Sequence, residues 1–400
     1  MAGSTWRQLR AVVALNIRNI PARLDSSLVA IIGIAGVVAV LVALLSISEG
    51  FRATVAAKGR EEVAIVIRGG SAEELSSGLG KDQAQVVTDA PGIARDENGP
   101  VASPELYTVL DLPLRRTGPT GPSNNVPLRG VGPHAPSLRG DFRIIQGRML
   151  EPGHDEVVVG RSAAAQFYGI ELGREIVAGS RRWKVVGIFS DGGGVAESEV
   201  WADRHVLASA YRRGTTVQSV RLQLESPAAL ATLKRALKGD PRLDVNVRSE
   251  REFLAEQSKV LVTIITTLGF TIAILMGTGA VFAAVNTMYS AVAARTREIA
   301  TLRAIGFGGL PVLASVLVES LVLGLCGGLL GGVIAYLVFN GYQASTLNFA
   351  TFTQVAFAFK VTPALLVTGT IYALLLGLIG GLLPGWRAAR LPVTEGLRAM

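Results

Sequence analysis

Four long stretches without charge dominate this sequence and limit what it can fold into. Only uncharged residues occupy positions 26–48, 260–294, 320–359 and 361–386. A helix needs about 20 apolar residues to cross the hydrocarbon core of a bilayer, so each stretch is long enough to span. The third stretch exceeds one crossing and is expected to hold a helix and a loop. The chain is therefore predicted to be an integral membrane protein with four transmembrane helices.

The formal net charge of +8 is unevenly distributed, and its distribution predicts the topology. Ten arginines stand against three acidic residues in segments 1–27 and 295–303 and in the tail after Trp386. Basic residues collect on the cytoplasmic side of membrane proteins, so both termini and the middle loop are expected in the cytoplasm. The nearly neutral segment 49–259 is expected outside. The basic excess thus indicates membrane lipid, and not nucleic acid, as a partner.

The predicted fold class is an α-helical membrane protein with four transmembrane helices and a large α+β extracytoplasmic domain inserted between helices 1 and 2. The predicted segments are a cytoplasmic amphipathic helix at 1–26, transmembrane helices at 27–48, 259–289, 311–340 and 362–385, an outer domain at 49–258, a cytoplasmic turn at 290–310, a short outer loop at 341–361 and a cytoplasmic tail at 386–400. Nine of the twenty residues at 117–136 are Gly or Pro, which predicts a loop. We therefore expect a discontinuous subdomain, 49–136 with 214–258, and an inserted one at 137–213.

The second apolar stretch is longer than a bilayer requires. As one helix, residues 260–294 would reach roughly 52 Å against a hydrocarbon core of about 30 Å. Such a helix projects beyond the membrane and could carry motion outward as a rigid lever.

The sequence offers no catalytic or metal site. It has no nucleotide-binding P-loop, and His134, His154 and His205 lack metal-ligand spacing. The glycines after Asp191 favour a flexible hairpin tip over a phosphate or cation loop. Cys326, the single cysteine, lies in an apolar run, so the outer domain has no disulfide. We expect a non-catalytic chain without a cofactor of its own.

Two features of the third helix are candidates for function. Glu319 is the one charge well within a spanning segment, which makes it either a functional carboxylate or one that reaches water or an arginine near the cytoplasmic end. A row of small residues allows close helix packing, within one subunit or between two. The row consists of Gly324, Gly327, Gly328, Gly331 and Gly332.

The segment 286–306, NTMYSAVAARTREIATLRAIG, resembles the membrane subunit of the macrolide-exporter and FtsX-like class of ABC transporters. Glu319–Ser320 and the C-terminal segment 384–398, PGWRAARLPVTEGLR, are similar to later parts of the same pattern. In the outer domain, EVVVG at 156–160 and WKVVG at 183–187 resemble the exporter-type periplasmic domain. The resemblance covers essentially the whole chain.

The resemblance implies a permease of the bacterial inner membrane that acts as a dimer, with itself or with a paralogue. It implies a separate cytoplasmic ATPase dimer, which would bind ATP and Mg, and an adaptor protein in the periplasm. The residues that would dock the ATPase are Arg295, Arg297, Glu298, Arg303, Ile305 and Gly306, and Arg387 and Arg390 lie in the cytoplasmic tail. Anchoring at the membrane surface is the alternative role of these arginines.

In this family substrate does not pass between the membrane helices; ATP-driven closure inside moves the external domains, which is called mechanotransmission. The resemblance therefore predicts export or extrusion of a substrate from the periplasm or the outer leaflet. Lipoprotein extraction is the first alternative. FtsX-like signalling to a cell-wall hydrolase is the second, although the outer domain is much larger than in that type.

Overall fold

The computed structural model describes residues 24–55, 59–348 and 353–392. These residues form a helical unit (Ile264–Tyr342, with the segments before Gly50 and after Ala358) and an α+β unit (Gly50–Thr263 and Gln343–Ala358). The predicted amphipathic helix at 1–26 lies outside the described residues, apart from its last three positions, which begin the first helix.

The elements are numbered separately for helices and strands. The helices are α1 (Leu24–Val55), α2 (Lys81–Thr88), α3 (Arg161–Gln166), α4 (Arg204–Ala210), α5 (Ala229–Lys238), α6 (Glu250–Ala294), α7 (Thr296–Ala304), α8 (Gly309–Phe339) and α9 (Pro363–Ala389). The strands are β1 (Val63–Arg68), β2 (Arg95–Asp96), β3 (Gly99–Pro100), β4 (Ala102–Pro113), β5 (Ser123–Val131), β6 (Phe142–Gly147), β7 (Glu156–Gly160), β8 (Glu175–Ala178), β9 (Arg181–Asp191), β10 (Val200–Asp203), β11 (Ser219–Gln223), β12 (Val245–Ser249), β13 (Gln343–Asn348) and β14 (Thr353–Ala358).

Within the described part of the chain, four helices are long and apolar enough to cross a membrane: α1, α6, α8 and α9. All of them differ in length from the predicted segments. α6 differs most, because it spans 45 residues without a break and measures about 67 Å at 1.5 Å per residue. Its start is fixed by a capping box: Glu252 N donates to Ser249 Oγ at 3.1 Å, and Ser249 N donates to the Glu252 carboxylate at 3.4 Å.

The segment 290–310 is not the simple turn that the sequence predicted, because it contains the nine-residue helix α7. α7 ends in a Schellman motif, in which Phe307 N donates to Leu302 O and Gly306 N donates to Arg303 O, each at 3.1 Å. Gly306 has a φ of +99°, which a glycine adopts without strain.

The glycine row of α8 packs against helices of the same subunit. This is one of the two arrangements that the sequence left open. A Cβ added at Gly331 would lie 2.5 Å from Ala35 O of α1. One at Gly324 would lie 2.8 Å from Ala373 O of α9. Gly327 likewise contacts α1, whereas Gly328 and Gly332 contact α9. The small residues therefore let α8 approach two neighbouring helices at once.

The α+β unit is built on a sheet whose strand order is β12-β1-β11-β4-β5-β10-β7-β9-β6, with β8 also paired to β9. β11 and β12 both pair antiparallel with β1, and α5 connects them, which gives a split βαβ arrangement. The β13–β14 hairpin lies in the predicted outer loop at 341–361 and is part of this unit.

The predicted subdomain boundary at residue 136 is wrong. β4 pairs with β11 through residues 102–105 and with β5 through residues 106–113. Ala102 joins the core around Val66 and Leu222, whereas Leu106 joins the core around Trp183. The unit therefore divides within β4. The Gly- and Pro-rich stretch at 117–136 is not a loop throughout, because β5 crosses it between β4 and β10.

Candidate functional site

The arginine that follows α6 is buried, although the sequence predicted it as an ATPase-docking residue. Arg295 Nη1 donates to Glu319 Oε2 at 3.1 Å, and the two residues are only 8% and 5% exposed. An intramembrane charge is costly unless it is paired, which explains why α8 places a carboxylate opposite Arg295. Arg295 therefore belongs to the interior of the helical unit and not to a docking surface.

Arg303, the last basic residue of α7, is also engaged within the chain. Its Nη1 donates to Ala389 O at 3.0 Å and to Leu391 O at 2.7 Å. Ala389 ends α9 and Leu391 follows it, so the cation satisfies acceptors that have no intrahelical partner. Arg303 thus fixes the end of α7 to the end of α9.

The remaining predicted docking residues are exposed. Arg297 and Glu298 lie on the outer face of α7, and Ile305 and Gly306 follow its last turn. Ile305 is 69% exposed, and Leu310 at the start of α8, which the sequence analysis missed, is 74% exposed. We call Arg297, Glu298, Ile305, Gly306 and Leu310 the α7 surface. It combines opposite charges with two large apolar side chains.

Arg387 and Arg390 stack on aromatic rings. Arg387 lies 5.7 Å from the ring centroid of Tyr289, and Arg390 lies 4.4 Å from that of Trp386. Both arginines are exposed, so their charges remain available while the rings orient them.

The glycine loop after β9 is neither a hairpin tip nor an open phosphate site. β9 and β10 are separated in the sheet by β7, so the loop crosses over a strand. Asp191 N and Gly193 N both donate to Glu197 Oε1 at 2.9 Å, and Ser190 Oγ donates to the same atom at 2.6 Å. The Glu197 carboxylate thus occupies the place in this loop where a bound phosphate would otherwise accept the hydrogen bonds.

His154 and Asp155 lie in a surface turn, and Glu156 after them begins β7. Asp155 accepts a hydrogen bond from Arg181 at 2.9 Å, and Glu156 accepts two from Arg148. Across the described residues no cluster of three or more His, Cys, Asp or Glu has metal-binding geometry.

The interior of the α+β unit holds a buried ion network that the sequence analysis missed. Arg129 of β5 donates to three carboxylates, those of Glu74, Glu105 and Glu199, each at 2.8 Å. Arg221 of β11 donates to Glu105 at 3.2 Å and to Glu250, the first residue of α6. Apolar Val220 and Leu222 alternate in β11 with polar Arg221 and Gln223, and this pattern alone gives no sign that the polar face is buried.

The network holds Glu74 and Glu105 in their charged forms. Burial alone would raise the pKa of Glu74, but the charge of Arg129 and its hydrogen bonds outweigh burial and hold the pKa well below its usual range. Burial opposes ionisation of Glu105 too, yet Arg139, Arg129 and Arg221 together lower its pKa. The charged forms of these groups therefore prevail at neutral pH.

Arg139 borders the network from outside. It donates to Glu105 at 3.3 Å and lies 5.1 Å from the ring centroid of Trp201. Its Nη1 is buried without a protein partner within the described part of the chain and lines a cavity of about 70 Å³. That space is large enough for a few water molecules.

Comparison with known protein families assigns both parts of the chain. The family model described as the MacB-like periplasmic core domain matches residues 27–239, more than half of the chain. The chain belongs to the family of MacB-like permeases. The model described as the FtsX-like permease C-terminal matches residues 263–393. The predicted fold class, four apolar helices with an α+β periplasmic domain after the first, is confirmed.

Several curated proteins are similar to this MacB-like permease. The macrolide export ATP-binding/permease protein MacB of Bordetella avium is 25% identical over 387 residues, which cover 92% of this chain and 56% of that protein. The ABC transporter permease YknZ of Bacillus subtilis is 29% identical over 211 residues, covering 50% of this chain and 49% of YknZ. The chain thus spans about half the length of the curated relatives it matches.

Among solved structures, the periplasmic region of MacB from Actinobacillus actinomycetemcomitans aligns with a TM-score of 0.36 and 17% identity. It covers 48% of this chain and 90% of that structure. The family and the four apolar helices fit a multi-pass protein of the inner membrane. This MacB-like permease is therefore an ABC-type transporter component with a periplasmic α+β unit.

Proposed function

We propose that this chain couples ATP hydrolysis by a cytoplasmic ABC-type ATPase to movement of its periplasmic α+β unit. That movement drives export or extrusion of a substrate from the periplasm or the outer leaflet. The proposal places the α7 surface and both termini in the cytoplasm, in agreement with the distribution of arginines.

One observation carries the proposal. α6 is a continuous helix, its first residue Glu250 is bonded to the buried Arg221, and its last residue Ala294 is followed directly by Arg295 and α7. A rigid helix that is fixed at its first turn in the α+β unit and continues to an exposed helix can transmit displacement along its axis.

We propose two functions for the residues around α7. The α7 surface binds the ATPase, since it is the exposed part of this segment. The Arg295–Glu319 pair and Arg303 hold α7 against α8 and α9, so that motion of α7 is passed to the helices. On this view Arg295 and Arg303 position the docking element without touching the ATPase.

We also propose that the permease acts as a dimer. α6 buries one narrow stripe and exposes large apolar side chains on its other faces, among them Leu275 at 67% and Phe282 at 76%. Such faces suit membrane lipid and a second copy, which can be the same chain or a paralogue. A periplasmic adaptor would bind the α+β unit.

A direct test follows the α+β units during the ATP cycle. Lys238, exposed at the end of α5, is replaced by cysteine and spin-labelled on a Cys326→Ser background, because Cys326 is also exposed. In the permease–ATPase complex we expect the distance between the labels of two copies to change on trapping with ATP and vanadate.

The lever role is tested with a matched pair of variants. Thr267→Pro interrupts α6 at an exposed position, and Thr267→Ala changes the same side chain without a kink. We expect the proline variant to retain the ATPase but to lose the distance change, whereas the alanine variant keeps it. An unchanged response in the proline variant would exclude α6 as the transmitting element.

A further inference from the structure

Three consecutive polar residues between β9 and β10 are buried, and each bonds to a different part of the α+β unit. Glu197 accepts the hydrogen bonds of the glycine loop. Ser198 Oγ accepts a hydrogen bond from Ala356 N of β14 at 3.2 Å. Glu199 accepts hydrogen bonds from Arg129 Nε at 2.9 Å and Nη2 at 2.8 Å. This segment is therefore a junction between the hairpin and the ion network.

The connection continues through the network to α6. Arg129 Nη1 and Arg221 Nε both donate to Glu105 Oε2, at 2.8 and 3.2 Å. Arg221 Nη1 then donates to Glu250 Oε1, and Arg60 N donates to Glu250 Oε2 at 3.2 Å. A series of buried and part-buried polar contacts, joined through the backbone between Ser198 and Glu199, thus leads from β14 to the first residue of α6.

The hairpin has a second attachment in the same unit. Phe357 of β14 is buried and packs edge-on against Phe51, with ring centroids 5.6 Å apart. The hydrogen bond to Ser198 and this aromatic contact together fix β14 at a defined position. A displacement of residues 197–199 would therefore also displace the hairpin.

We propose that Ser198, Glu199, Arg129, Glu105, Arg221 and Glu250 form a relay that holds the β13–β14 hairpin and the start of α6 in one mechanical body. In a buried network, loss of one partner leaves an uncompensated charge and weakens the remaining contacts. The contacts of the relay are therefore expected to form and break together. Only the source of the displacement, an ATP-driven movement of α6, rests on the proposed function; the coupling between hairpin and helix is a property of this chain alone.

The test measures hydrogen–deuterium exchange on the intact chain in lipid nanodiscs, without any ATPase. Glu250→Gln removes the charge at the α6 end of the relay. Its matched control is Glu256→Gln, which lies on the same helix and pairs with Arg248 but is exposed. We expect Glu250→Gln to speed exchange of the amides of β14 roughly tenfold, and Glu256→Gln to leave them unchanged.

A second variant tests the same coupling from the hairpin end of the relay. Ser198→Ala removes one hydroxyl at the hairpin end, and it should speed exchange at residues 254–258 of α6, because coupling free energies are reciprocal. Exchange in β8, which pairs with β9 and contributes no residue to the relay, reports whether the sheet as a whole is intact in each variant.

The proposal is overturned if both effects stay local, with Glu250→Gln altering only α6 and Ser198→Ala altering only β14. Because no ATPase is present, that outcome leaves the proposed transport function standing. Conversely, failure of the permease to bind an ATPase leaves the relay untouched.

Discussion

Arg295 and Glu319 form a buried ion pair in which Arg295 Nη1 donates to Glu319 Oε2 at 3.1 Å. The pair joins the residue between α6 and α7 to the first half of α8, 24 positions later in the chain. It therefore fixes the start of α7 against α8. Glu319 thus has a positioning contact, and Arg297 and Ile305 remain among the proposed docking residues.

Replacing Glu319 with Gln should destabilise the helical unit. The substitution removes this counter-ion from a buried guanidinium, which costs on the order of 3–5 kcal/mol. We expect a lower thermal unfolding midpoint in detergent, measured by circular dichroism. The control is Glu298→Gln, since Glu298 is exposed at the same end of the unit. Equal midpoints for the two variants would show that the ion pair is not stabilising.

The glycine packing of α8 predicts opposite effects for two identical substitutions. Gly331→Ala places a Cβ 2.5 Å from Ala35 O, so α1 and α8 must separate, at a cost of about 1–3 kcal/mol. Gly36→Ala on α1 meets no atom within 4 Å and should be neutral or stabilising by up to about 1 kcal/mol. Unfolding midpoints of the two variants check this, and a shift in the same direction for both would contradict the packing.

The ion network should make the α+β unit sensitive to acid. Glu74 and Glu105 have pKa values lowered by their arginines, so their stabilisation is complete above the unfolded pKa of about 4.3 and is lost as the pH falls towards the folded values. Asp191 acts in the opposite sense, because burial raises its pKa. We expect the two glutamates to dominate and the unfolding free energy to fall below about pH 5.

Urea unfolding between pH 7 and pH 3 measures this dependence. The fluorescence of the buried Trp183 and Trp201 reports on the α+β unit when Trp6 and Trp386 are replaced by Phe. Glu74→Gln should flatten the profile, since one titrating group of the network is gone. A profile that is unaltered by this substitution would mean that other carboxylates cause the acid sensitivity.

The membrane helices could be predicted from the sequence because hydropathy is a local property. The apolar runs located α1, α6, α8 and α9, but they did not define the start of α6. That start depends on the capping pair Ser249 and Glu252, which lies outside the apolar run. The sequence therefore contained the signal for the longer helix, but hydropathy alone does not detect it.

Pairing between distant strands could not be predicted in the same way. β5 contains Pro127 and Gly130, which locally favour a loop, and its strand conformation follows from pairing with β4 and β10. The burial of Arg129 has the same origin, since its carboxylate partners come from three separate segments. Arg295 was expected at the surface because its partner lies in another helix.

We propose that an ABC-type ATPase acts through the α7 surface, and a comparison of ATPase binding and ATP hydrolysis in variants of that surface tests this most directly. The chain is purified from its native membranes as wild type, as Arg297→Glu and as Ile305→Asp. Arg95→Glu serves as a charge-matched control, because Arg95 is exposed in the α+β unit. We expect an ABC-type ATPase and its vanadate-sensitive hydrolysis to accompany the wild type and the control, and to fall at least tenfold in both α7 variants. Undiminished binding and hydrolysis in Arg297→Glu and Ile305→Asp would contradict the account.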